Sequence, residues 1–189
     1  MQEFQLKFQK AVVIGCLALS GVMIIYALGF STDIYSLSYH ANPDSALFYV
    51  PGAELYKTAQ PFNRAFFTHA VLYFVLCLPL FLSLTHRRRL YYISNYVTSI
   101  VFTGFSVVLG AELIAHILEY RAEYLKVDFD RLKEVAEMMK MDFVKSTFML
   151  DIGVALSVLL FAFAAALCVN LILKTYWMRR EHWAEEESV

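Results

Sequence analysis

No cysteine of this chain lies in a loop, and no two form a CxxC pair. Cys16, Cys77 and Cys168 each fall inside a different apolar run. This argues against a disulfide-stapled outer domain and against dithiol redox chemistry, so the thiols read as small hydrophobes. Charge is scarce as well. Only 17% of residues are charged while 59% are hydrophobic, where a soluble domain has about a quarter charged. A formal net charge of -1 gives no footing for nucleic acid. There is no P-loop, no GxSxG and no HExxH, the short motifs that would announce a reaction. No pair of Pro- or Gly-broken helices marks the crossing point of a secondary transporter, and no internal repeat is visible.

What the chain has instead is four long runs with few or no charges, at residues 11–30, 65–85, 90–118 and 147–173. Twenty residues at a rise of about 1.5 Å cover about 30 Å, one hydrocarbon core. The expected fold is therefore all-α: a single multi-pass membrane domain over residues 1–189, with four transmembrane helices in an antiparallel bundle. The first run, preceded by Lys7 and Lys10, also has the outline of a signal peptide with Ala27-Leu28-Gly29 as its cleavage site. It is longer than a usual signal core and reads as a retained anchor.

Topology follows from the shortest connection. Residues 86–89 read His-Arg-Arg-Arg, so the flanking helices are antiparallel neighbours, and Arg87, Arg88 and Arg89 place that turn on the cytoplasmic side. Both termini are then cytoplasmic, in a plasma (inner) membrane, and the loops 31–64 and 119–146 face outward. Lys and Arg split evenly between the sides, but the inner ones crowd against helix ends, where they act most strongly. Lys174, Tyr176, Trp177, Arg179 and Arg180 read as an aromatic-basic interface anchor.

The first outer loop carries Pro43, Pro51, Gly52 and Pro61, which should break any long helix. Its aromatics suit an ordered cap over the helix ends. In the second, Val127, Phe129, Leu132, Val135, Met139 and Phe143 recur every three or four residues between charges. That predicts an amphipathic extramembrane helix between the third and fourth spans, lying on lipid or docked on protein.

Ionisable groups inside spans call for a functional explanation. His69, Glu112, His116 and Asp151 all fall about one or two turns from the outer ends of their helices. Glu112 and His116 share a face of the third helix, with Ser99, Thr103, Ser106 and Gly110 on the opposite one. Asp151 shares a face with Ala155, Ala162 and Ala166, which predicts that it points inward. The plainest reading of the four is structural: interhelical hydrogen bonds and ion pairs, helped by Arg64 and Arg121. Two imidazoles and two carboxylates are also an adequate ligand set for a divalent metal. A b-type haem between His69 and His116 is a more remote alternative, and no resident cofactor is expected. His40 and His182 read as solvated, and Pro79 as a helix kink.

Two outer loops with inner ends superficially resemble eukaryotic tetraspan proteins, whose loop cysteines are absent here. Small size, no catalytic motif and two structured outer segments lead to an accessory or assembly subunit of a larger membrane complex, such as a transporter or an envelope machine. Its partners would be other integral membrane subunits and the bilayer. A membrane-embedded metal or haem enzyme using the outer cluster is the alternative. A small carrier or channel comes third, since positions below Glu112 are mostly apolar.

Overall fold

A computed structural model describes residues 2–42, 47–83, 93–140 and 145–186. The predicted cationic turn at Arg87, Arg88 and Arg89 lies outside these residues, as does Phe143. The described chain is all-helical: α1 (Gln2–Leu37), a 3-10 turn (Ser38–Ala41), α2 (Glu54–Ser83), α3 (Ile93–Tyr124), α4 (Phe129–Met138) and α5 (Phe148–Glu186). Four of these helices are long and apolar enough to cross a membrane, over Glu3–Ile34, Glu54–Ser83, Asn95–Tyr124 and Phe148–Arg180.

The helices outrun the apolar stretches. α1 has 36 residues, about 54 Å of helix at about 1.5 Å each, well beyond one hydrocarbon core. Hydropathy reports which residues tolerate lipid, whereas a helix continues as long as its backbone pairs internally. α2 begins at Glu54, so Pro61 sits inside it instead of ending a loop. Pro61 removes its N–H and the bond to the carbonyl one turn back. Pro61 and Lys57 are both exposed, so the freed Lys57 carbonyl is on a face open to other donors.

The chain groups into two compact units: Met1–Val22 with Ala70–Gly110 and Val158–Val189, and Met23–His69 with Ala111–Ser157. In the first, Tyr73 packs on Phe102 with ring centroids 4.5 Å apart, and its hydroxyl lies 3.3 Å from Ser106 Oγ. The stripe of Ser99, Thr103, Ser106 and Gly110 is buried. Its three hydroxyls donate to carbonyls one turn earlier, which uses their hydrogens within α3 itself. Gly15 faces Phe163 so closely that a Cβ would lie 2.4 Å from the ring.

In the second unit, Tyr26 meets Phe66 edge-on at 6.0 Å, and Asn63 Nδ2 donates to the Ala27 carbonyl at 3.0 Å. Here the chain outside the long helices is ordered by backbone contacts. Val50 N donates to His40 O at 3.1 Å, and Asp128 N to Pro51 O at 3.0 Å. Gly52 has φ +85, and a Cβ there would stand 2.8 Å from Val127 Cα, so both the turn and the close approach require glycine. Asp128 caps α4 by accepting from Arg131 N, and Arg131 also donates to the Leu47 carbonyl at 3.0 Å. Tyr49 donates to Glu54 at 2.6 Å, which holds the phenol above its ordinary pKa.

α4 buries Leu132, Val135 and Ala136, the amphipathic pattern read at residues 127–145. It is shorter than that pattern because Met139 caps it and Lys140 takes φ 55, which leaves Met139 exposed. His40, expected to be solvated, is buried, with Nδ1 3.1 Å from the Phe48 carbonyl.

Candidate functional site

The four predicted residues all belong to the second unit, and the structure divides them. α2 carries His69 and α3 carries Glu112, with His69 Nδ1 3.2 Å from Glu112 Oε2. The two side chains are 36% and 29% exposed, so this is a half-wetted ion pair when the imidazole is charged. His116, one turn beyond Glu112, points Nδ1 at the Glu112 carbonyl, 2.9 Å away. A carbonyl only accepts, so Nδ1 holds the proton and Nε2 is left as an acceptor. The same ring lies flat on Phe62, centroids 4.3 Å apart and planes at 14°, with Tyr120 6.0 Å away.

Asp151 stands elsewhere. Its carboxylate accepts from Thr147 at 2.7 Å and lies 3.4 Å from Arg121. It is about half exposed, as are Ala155 and Ala162 on its face. The expectation that this face turns inward is therefore reversed. The face that α5 buries instead carries Leu150, Leu156, Ser157, Leu160, Ala164 and Leu167. Among the described residues, no three His, Cys, Asp or Glu gather closely enough to hold a metal ion. What the arrangement offers chemically is a His69–Glu112 dyad able to exchange a proton, beside a histidine fixed in one tautomer.

The residues read as an interface anchor lie near the end of α5. Tyr176 and Trp177 meet edge-on at 5.4 Å, Arg180 lies 5.7 Å from the Trp177 ring, and Arg179 and Arg180 are exposed. Lys174 does not belong with them. It is fully buried and donates to Asn95 Oδ1.

Around Lys174 the first unit holds a polar network that sequence reasoning missed. Gln5 Nε2 donates to Asn170 Oδ1 at 2.9 Å and to Gln9 Oε1 at 3.1 Å. Gln9 Nε2 reaches Asn95 Oδ1 at 3.5 Å, and Asn95 Nδ2 donates to Ser83 Oγ. Gln5, Gln9, Asn95, Asn170 and Lys174 are all buried. The signal was present in the spacing. Gln5 and Gln9 are four apart, as are Asn170 and Lys174, and the latter pair continues the face of Leu160, Ala164 and Leu167. Compared with known proteins, the chain matches no family model, no curated protein and no solved structure.

Proposed function

We propose that this chain is a multi-pass membrane protein that serves as an accessory or assembly subunit of a larger membrane complex, such as a transporter or an envelope machine. In this reading the four long helices cross a plasma (inner) membrane as an antiparallel bundle with both termini cytoplasmic. The segment around Pro51 and α4 then lie outside. Asp130→Cys should react with a membrane-impermeant maleimide in intact cells, and a cysteine at position 181 should react only after permeabilisation. The opposite labelling pattern would invert the topology.

The observation that carries the reading is the ordered segment outside the long helices. A backbone bond from Asp128 to Pro51 and a guanidinium bond from Arg131 to the Leu47 carbonyl hold in place Leu125 and Met138, which are 72% and 51% exposed. A loop built only to join two spans has no need of such fixation, and exposed apolar side chains on an ordered support suit another subunit. The protein extracted in mild detergent should bring down a defined partner in stoichiometric amount. Leu125→Asp with Met138→Asp should release that partner while helical content is unchanged. A monomer free of partners, or a complex indifferent to both substitutions, would refute the reading.

Chemistry at the His69–Glu112 dyad is the second reading, supported by their 3.2 Å approach from two different helices. It predicts a bound divalent metal, or a Soret band if His69 and His116 hold haem b, lost in His69→Ala. A colourless, metal-free preparation would dispose of it.

A further inference from the structure

Lys174 presents a physical problem that the proposed function leaves unused. Its side chain is 0% exposed, yet among the described residues its amine meets a single acceptor, Asn95 Oδ1, and no carboxylate lies within ion-pair distance. A buried ammonium without a counter-charge is strongly disfavoured. Its surroundings are rich in donors too. The ammonium has three hydrogens, and each carboxamide NH2 has two. Gln9 Nε2 and Asn95 Nδ2 each use one, and Asn170 enters only as an acceptor.

On the acceptor side little is left. The oxygens of Gln9, Asn95 and Asn170 are already engaged, and of the four carboxamide oxygens only the buried Gln5 Oε1 has no partner among the described residues. The missing component is therefore a group with negative charge and several acceptor oxygens. Gln5 is the fourth residue of α1, whose N-terminus adds partial positive charge at the cluster. Lys7, Lys10 and Arg179 are exposed on the helix stretches that carry it and favour the approach of an anion.

We propose that Lys174, with the carboxamides of Gln5, Gln9, Asn95 and Asn170, forms a binding site for a phosphate group, supplied by an anionic phospholipid headgroup or by free phosphate. The four-carbon stem of Lys174 and the long glutamine side chains give the site its means of opening. Without an anion, the amine folds back onto Asn95. With one, the ammonium and the carboxamide hydrogens turn toward the phosphate oxygens, as charge-assisted bonds favour.

The test uses the full chain, delipidated in mild detergent. Phosphatidylglycerol, phosphatidylcholine and inorganic phosphate are added in separate arms, with bound lipid read by native mass spectrometry and phosphate by calorimetry. We expect about one phosphatidylglycerol or phosphate per chain, weakened about tenfold in Lys174→Met and largely kept in Lys174→Arg. Saturation by phosphatidylglycerol but not by phosphate identifies the headgroup as the source, and the reverse identifies the free ion. Asn170→Ala should weaken binding a few-fold without touching the lysine, and it serves if Lys174→Met does not fold. Wild-type protein that takes up neither probe, or takes up phosphatidylcholine equally well, overturns the proposal. So does undiminished binding by a folded Lys174→Met or by Asn170→Ala.

Discussion

The two units solve the same problem, polar side chains among apolar helices, in different ways. In the second, charged residues stay half exposed and form short-range pairs: His69 with Glu112 and Asp151 with Arg121. Each pair is nearly self-contained, and solvent or headgroups share the cost of its charge. In the first, the residues of the polar network are buried, all of them but Lys174 are neutral, and each depends on the next, from Asn170 through Gln5, Gln9 and Asn95 to Lys174. Complete burial forces this interlocking, because an unpaired polar atom there has no water to turn to. Removing one member of a half-wetted pair should therefore cost little, and removing one node of the buried network should cost much.

The largest expected effect is Asn95→Leu. It takes from Lys174 its one acceptor among the described residues and from Gln9 its outlet, and should lower stability by about 3 kcal/mol, read as the unfolding midpoint in detergent. A loss below about 1 kcal/mol would remove the contrast between the units. Gly52→Ala comes next, at about 1–3 kcal/mol, because the new Cβ meets backbone atoms of Lys126 and Val127 that cannot swing aside. Faster proteolysis near residues 47–53 should accompany it. Glu112→Gln removes one charge from a partly exposed pair and should cost about 0.5 kcal/mol. Asp151→Asn, in a pair about half exposed on both sides, should fall at or below that value and shrink further at high salt. A large loss from either would mean that the second unit also relies on its ion pairs.

Much of the fold was legible because lipid-compatible runs and helix period are local properties. The four apolar runs, the buried face of α4 and the buried hydroxyl stripe of α3 were each visible as patterns. Helix length was not, since polar residues at either end of α1 and α5 stay helical without being apolar. Pro61 misled for a related reason. A proline on an exposed face costs one hydrogen bond, and the remaining residues of α2 hold the helix together. The face of Asp151 was misread because small residues do not by themselves mark the interior: α5 buries Ser157 and Ala164 beside its leucines and leaves Ala155 and Ala162 exposed.

In the candidate site, the nearness of His69 to Glu112 was foreshadowed only in that both were placed toward the same end of the helices, with Glu112 one turn deeper than His69. The position of His116 on Phe62 was not, because stacking between residues 54 apart depends on how α2 and α3 rotate against each other. Lys174 shows the limit best. As a residue type beside Trp177, Arg179 and Arg180 it looked like a solvated anchor. Its place in the period of Leu160, Ala164 and Leu167 turned it inward, and Asn95, 79 positions away, received it.

The sequence by itself determined that this chain is helical, that four of its helices can occupy lipid, and that an amphipathic helix interrupts the last two. These follow from transfer free energy and backbone pairing, which each segment satisfies within itself. Only the tertiary structure decided which polar residues meet: His69 with Glu112, Asp151 with Arg121, and Lys174 with the carboxamides of the first unit. Such meetings depend on the rotation and register of separate helices, and those are set by packing over the whole of each unit, which no local pattern encodes.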